Sequence, residues 1–181
     1  MTAVSGLPGA CTPSGGQDGR AAGAEGGWSL RRRAAACLLI LLAVWAAYAN
    51  SLRCPFHFDD DPLYWEGRPP SWQERARAAL AGSRPLTDLT LALNYAIGGT
   101  DVPGYHVFNI SVHALAGCAL FLLVRRVLRA PALRERYTRA ADALALATAL
   151  LWALHPIQTQ SVTYIVQRAE SMTGLFYLLT L

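Results

Sequence analysis

Three groups of residues in this sequence have types and spacings suited to chemistry. The first is Phe56-His57-Phe58-Asp59-Asp60-Asp61, an acidic run that begins four residues beyond an apolar stretch ending at Leu52. Three consecutive carboxylates repel one another, so at least one holds its proton more tightly than a lone aspartate. The aromatic residues just before them keep part of the cluster near an apolar boundary. A carboxylate held there can act as a general base on a hydroxyl or ligate a divalent cation. The competing reading is a solvated acidic loop tip, the commoner fate of a charge run.

The second group is His106, Asn109 and His113, at i, i+3 and i+7, which fall on one stripe of a helix. Polar groups inside a membrane span are costly and face a bundle interior or a water-filled cavity. They can serve catalysis, or they can be hydrogen-bonding glue between helices. Two histidines seven residues apart lack a third ligand for zinc. The third group is His155-Pro156-Ile157-Gln158-Thr159-Gln160, followed by Gln167-Arg168-Ala169-Glu170. Pro156 suits the first turn of a helix whose N-terminus can receive an anion. Arg168 is read as the charged partner for a phosphate on this side of a span, or as an ion-pair partner of Glu170 or of an acid in the first loop.

The elements that must position these groups follow from hydropathy and charge. Of the 181 residues, 53% are hydrophobic and 15% charged, against about 25% charged in a soluble domain. Residues 34–52 form a 19-residue run without a charge, abutting Arg31, Arg32 and Arg33. About 20 apolar residues cross the hydrocarbon core as a helix. Residues 106–124 form a second such run, closed by Arg125, Arg126 and Arg129. A third, 140–154, is short and carries Asp142 near its start, where the carboxylate can reach the interface. A fourth begins near Ser171 and is still apolar at Leu181. Eleven residues do not cross a bilayer, which gives the expectation of an N-terminal piece of a longer protein. Residues 1–33 read as a disordered cytoplasmic tail, since the first thirty hold eight glycines and no apolar periodicity. A rival reading of the first run is a secretory signal cleaved after Ala49; the spans that follow favour a retained anchor.

All 16 basic residues are arginine, and they are segregated. Residues 125–139 carry six arginines against Glu135, whereas 50–105 carry five against seven acids. This positive-inside pattern places the N-terminus and the 125–139 loop in the cytoplasm, and 50–105 with 155–170 on the opposite face. The basic residues lack the aromatic interleaving or recognition helix of a nucleic-acid binder, so nucleic acid is excluded as a partner and membrane lipid is expected. No pair of the four cysteines has metal-ligand spacing, and the set is not a disulfide framework. In the long loop, Ser71-Trp72-Gln73-Glu74 has the spacing of a capping box. The helix it opens puts Trp72, Ala76, Ala79 and Leu80 on one face with Glu74, Arg75 and Arg77 elsewhere, until Gly82. A second helix is expected over 86–97, with Leu86, Leu89 and Leu93 on one stripe. Both suit helices lying in the membrane interface.

Taken in order, these motifs resemble a known family. Tyr48-Ala49-Asn50-Ser51-Leu52, the acidic run, Arg84-Pro85-Leu86, Leu93-Asn94-Tyr95, His106-Val107-Phe108-Asn109, His113, Leu151-Trp152-Ala153-Leu154-His155-Pro156 and the run from Thr163 to Glu170 carry the likeness. Residues 48–181 are similar to the N-terminal part of GT-C fold membrane glycosyltransferases with C-terminal tetratricopeptide repeats, related to the transmembrane and tetratricopeptide-repeat O-mannosyltransferases. The resemblance implies an all-α, multispanning GT-C-like domain over 34–181, with interfacial helices in its first external loop. It also implies a polyprenyl-phosphate-linked sugar donor and transfer to a protein or glycan acceptor on the non-cytoplasmic face. Asp59 and Asp60 match the family's catalytic acidic pair; Asp61 is an extra acid. His155 and Arg168 would line one cavity, with His106 and Asn109 also binding substrate. Gln160 stands where the family often has Glu. A divalent cation is the one cofactor left open, and this stretch alone is expected to be inactive. A bacterial inner membrane is the expected location. The rival function is a non-enzymatic membrane protein, a transporter fragment or scaffold. A soluble hydrolase is remoter, because no Gly-x-Ser-x-Gly motif occurs.

Overall fold

The computed structural model describes residues 28–56 and 71–181. Among them every regular element is helical. Helix α1 spans Leu30–Tyr48, capped by the Ser29 side chain, which accepts from the Arg32 backbone N–H. It runs on into a 3₁₀ turn, Ala49–Arg53, where Ser51 donates to the Tyr48 carbonyl at 2.7 Å. Two short helices follow, α2 at Trp72–Ala81 and α3 at Pro85–Gly98. Helix α4, Val102–Leu128, has a proline in its first turn and Arg125 and Arg126 in its last, the placement that suits a free N–H and a negative helix end. After α5, Pro131–Tyr137, come α6, Ala141–Ala153, a 3₁₀ turn at Pro156–Gln158, α7, Thr159–Thr163, and α8, Arg168–Thr180.

Two of these helical stretches are long and apolar enough to cross a membrane: Leu30–Arg53 with 24 residues and Val102–Leu128 with 27. At a rise of 1.5 Å per residue the second is about 40 Å long. Helix α6 is equally apolar, but its 13 residues extend only about 20 Å, short of a hydrocarbon core of about 30 Å. The fourth expected stretch is helical from Arg168, three residues before Ser171.

Helix α4 is central and touches α1, α6 and α8. The packing inverts the pattern of a soluble core. Buried positions on α1 recur every fourth residue at Ala36, Ile40, Val44 and Tyr48, and on α6 at Ala141, Ala145, Ala149 and Ala153. The large leucines point outward: Leu42 is 60% exposed beside fully buried Ile40. Lipid tails are as apolar as leucine, so helices in a bilayer associate through small residues and polar bonds. Gly117 marks the tightest approach, for a Cβ there would lie 3.0 Å from Ile40 Cγ2 and 3.5 Å from Ala153 Cβ. A chain with apolar helices of this length and an outward apolar surface is a membrane protein.

At the arginine-rich end, Asp142 is buried. Its carboxylate accepts from Arg125 Nε, from Arg129 Nη2 at 2.8 Å and from the Trp28 N–H at 2.9 Å. Two arginines of the basic loop therefore neutralise an acid inside the bundle. In the opposite loop the capping box forms: Ser71 Oγ accepts from the Glu74 N–H, and Glu74 accepts from the Ser71 N–H at 2.7 Å. The expected apolar face of α2 is only partly turned into the protein. Arg75 and Ala79 are the buried residues, while Trp72 and Leu80 are turned outward. The reason is Tyr95 of α3, whose ring lies 3.5 Å beneath the Arg75 guanidinium, a stacking that favours arginine. Leu86 and Leu93 of α3 also face outward. Gly99, at φ 61°, ends α3 in a conformation open to glycine, and its N–H returns to the Tyr95 carbonyl at 2.8 Å.

Candidate functional site

Arg168, the first residue of α8, is fully buried. Its Nε donates to Asn109 Oδ1 at 2.8 Å, Nη1 to Thr90 Oγ1 at 3.2 Å and Nη2 to the Tyr105 carbonyl at 3.2 Å. The guanidinium also lies 4.2 Å over the Phe108 ring. One side chain thus joins α8 to α3 and to the N-terminal half of α4. Asn109 completes the joint, because its amide nitrogen donates to the carbonyls of Tyr164 and Ile165, both at 3.4 Å.

The segment leaving α1 is fastened to the same place. His106 Nε2 lies 3.2 Å from the Cys54 carbonyl, and Phe56 meets Tyr105 edge to face with ring centroids 5.5 Å apart. Arg75 reaches the other side of this layer through Tyr95. Burial pushes the Arg75 pKa down, opposed by the phenols of Tyr95 and Tyr105. Burial likewise raises the Asp88 carboxyl at the start of α3, opposed by Arg84. The buried Arg168 guanidinium lies 5.9 Å from the Tyr105 ring centroid, and the charge of buried Arg75 also acts on the Tyr105 phenol.

One helical turn further along α4, His113 holds the end of α6. Its Nε2 lies 2.9 Å from the Ala153 carbonyl, which also receives the Tyr48 hydroxyl at 3.4 Å. A carbonyl only accepts, so the proton is on Nε2. The last carbonyls of a helix have no partner within it; here side chains from α1 and α4 supply one. His113 is also the most buried residue lining a cavity of about 450 Å³ formed with Trp152, Gln158, Gln167, Glu170 and Gly174. Ser171 Oγ donates to the Ser161 carbonyl at 2.6 Å and shapes the same wall.

Of the residues singled out from sequence, His106, Asn109 and Arg168 come together. His155 does not join them. It is exposed, and its Nδ1 accepts from the Ile157 N–H at 3.2 Å, capping the turn that begins at Pro156. That helix end is short and already capped by its own histidine, which removes the reason to read it as an anion site. His155 and Arg168 do not share the cavity beside α8; Gln167 and Glu170 line it instead. Asp59, Asp60 and Asp61 lie outside the described residues, as does His57. Among the described residues no cluster of three His, Cys, Asp or Glu is placed to hold a metal ion, and Cys37, Cys54 and Cys118 are free thiols.

Sequence reasoning missed Thr90, Arg75 and the wall of the cavity. A signal for the wall existed: Gln167, Glu170, Ser171 and Gly174 are spaced as one helical face. Arg168 and Glu170, two residues apart, cannot share a face, so an Arg168–Glu170 pair was the wrong expectation for a helix.

Comparison with known proteins gives relatives over much of the chain. It is 36% identical over 160 residues to Protein O-mannosyl-transferase TMTC3 of Mus musculus, covering 77% of this chain and 16% of that protein. It is 34% identical over 160 residues to the Homo sapiens protein of that name, with the same coverage. With Protein O-mannosyl-transferase Tmtc3 of Drosophila melanogaster it shares 30% identity over 175 residues, 78% of this chain and 18% of the relative. The chain thus spans about one sixth of the length of the curated relatives it matches. No protein-family model and no solved structure matches it.

Proposed function

The chain is a homologue of the TMTC protein O-mannosyl-transferases, and on that premise we propose that it is the part of a membrane glycosyltransferase that carries the catalytic acids. In this reading a sugar passes from a polyprenyl-phosphate donor to a hydroxyl of a protein acceptor. The reaction takes place on the non-cytoplasmic face, within a multispanning GT-C-like domain over 34–181. Residues 1–33 and the 125–139 loop are cytoplasmic, and the loops after α1 and α6 are external. The relatives are animal proteins, and nothing in them supports a bacterial inner membrane.

The observation that carries the reading is the anchoring of Phe56 against Tyr105, whose carbonyl binds Arg168. Asp59 is three residues beyond Phe56, and three residues of chain reach at most about 11 Å. The acidic run thus follows, in the sequence, a segment that is fastened to Tyr105. Asp59 would remove the acceptor's proton as the bond from sugar to phosphate breaks. Asp60 would orient the acceptor or hold a divalent cation. Arg168 would stabilise the departing phosphate, since charge developing on an oxygen is best met by donors fixed beforehand. His106 and Asn109 act here as positioning residues, fastening the Cys54 carbonyl and the Arg168 guanidinium.

The test is sugar transfer by membranes containing an active transferase that includes this stretch, carrying Asp59→Asn and, separately, Asp61→Asn. The amide keeps the shape but cannot take a proton, so Asp59→Asn should slow transfer by about 10²–10⁴-fold with insertion unchanged. Asp61→Asn removes the same charge and should matter far less. Transfer by Asp59→Asn at the wild-type rate would return the acidic run to a solvated loop tip.

A further inference from the structure

The cavity between α4, α6, α7 and α8 is distinct from the Arg168 joint and has its own chemistry. Adjacent residues of α8 divide between them. Arg168 and Met172 turn toward Thr90 of α3, whereas Gln167, Glu170, Ser171 and Gly174 line the cavity. Gln158 approaches from the turn after α6 and Gln160 from α7, and Trp152 contributes an indole.

These side chains select one ligand class. Three amides offer donors and acceptors together, and Glu170 accepts strongly. No arginine lines the cavity, and His113 is tied through Nε2 to the Ala153 carbonyl. An anion such as phosphate therefore meets the Glu170 carboxylate and no arginine. A metal ion finds one carboxylate. A wholly apolar ligand would strand the amides, at the cost of unmade hydrogen bonds. What fits is a neutral ring with several hydroxyls and an apolar face for Trp152. About 450 Å³ is within the range of small-molecule sites and has room for such a ring.

We infer that this cavity binds a neutral pyranose, with Glu170 and Gln167 on its hydroxyls and Trp152 against its face. The inference rests on the transferase reading only for the choice of sugar. That sugar belongs to the lipid-linked donor or to the acceptor.

The test is binding of methyl α-mannopyranoside to the detergent-solubilised protein, followed by saturation-transfer NMR with inorganic phosphate as competitor. The wild type should bind the mannoside, and phosphate should not displace it. A Cβ at Gly174 meets nothing within 4 Å, so Gly174→Leu adds bulk at the cavity wall from a position with room for its first carbon. It should abolish binding at an unchanged unfolding temperature. Glu170→Gln, at an exposed position that does not endanger folding, should weaken binding about tenfold, as expected for one charge-assisted hydrogen bond. Absence of binding to the wild type, undiminished binding by both variants, or displacement by phosphate overturns the proposal. Asp59→Asn keeps the two readings apart, because it should stop transfer and leave mannoside binding intact. In transfer assays Gly174→Leu should raise KM for the lipid-linked donor if the cavity holds the donor's sugar, and for the acceptor if it holds the acceptor's. A change in neither KM also overturns the proposal.

Discussion

Arg168 Nε donates to Asn109 Oδ1 at 2.8 Å, joining residues 59 positions apart in the chain. A guanidinium only donates, so this bond settles which way the Asn109 amide faces. Its nitrogen is then free to donate to the Tyr164 and Ile165 carbonyls. Both side chains are fully buried. The pair locks the start of α8 to α4 while also holding the turn that precedes α8.

Removing Asn109 should therefore be costly out of proportion to its size. Asn109→Ala leaves a buried charge short of an acceptor, and we expect a loss of about 1.5–3 kcal/mol. A double-mutant cycle with Arg168→Met, read by unfolding in detergent, should give a coupling above the average of about 0.6 kcal/mol for interhelical bonds in membranes. Additive losses would mean that the bond contributes little.

Gly117 should resist enlargement. A Cβ there already crowds Ile40 Cγ2 at 3.0 Å, and a leucine must separate α1 from α4. Overpacking of this kind costs about 1–3 kcal/mol. Ile40→Ala should recover part of the loss in the double variant, and thermal unfolding of the four proteins measures it. Equal destabilisation with and without Ile40 would place the strain elsewhere.

Asp142 should matter more than either arginine it pairs with. Asp142→Leu strands two guanidinium groups at once, and breaking a buried pair by removing one partner costs about 3–5 kcal/mol. Arg129→Gln leaves Arg125 in place and should cost less. If the arginine variant proves the worse of the two, the carboxylate is not the hub of this cluster.

The topology is testable at two exposed positions. With the native cysteines replaced, Ser83→Cys should react with an impermeant thiol reagent from the non-cytoplasmic side. Ala132→Cys, in α5, should react only after the membrane is opened. The opposite result would move both the acids and the cavity to the cytoplasmic face.

What the sequence determined by itself was local. The two long apolar helices were legible because length and lack of charge are properties of a continuous run, and the capping box at Ser71 because its bonds close within four residues. The boundary arginines were legible for the same kind of reason. The homology was legible too, as an ordered series of short motifs. Partnership was not. Arg75 read as part of a polar face and is buried on Tyr95; Asp142 read as an interface residue and is the buried partner of two arginines. His113 belongs to an evident polar stripe, yet only the packed helices decided that it meets the Ala153 carbonyl and lines a cavity with residues of α8. The physical reason is the solvent. In a bilayer the inside and outside of a helix bundle are equally apolar, so hydropathy finds the helix but does not say which face turns inward. Small residues and polar bonds between distant segments make that choice, and those bonds exist only once the helices have met.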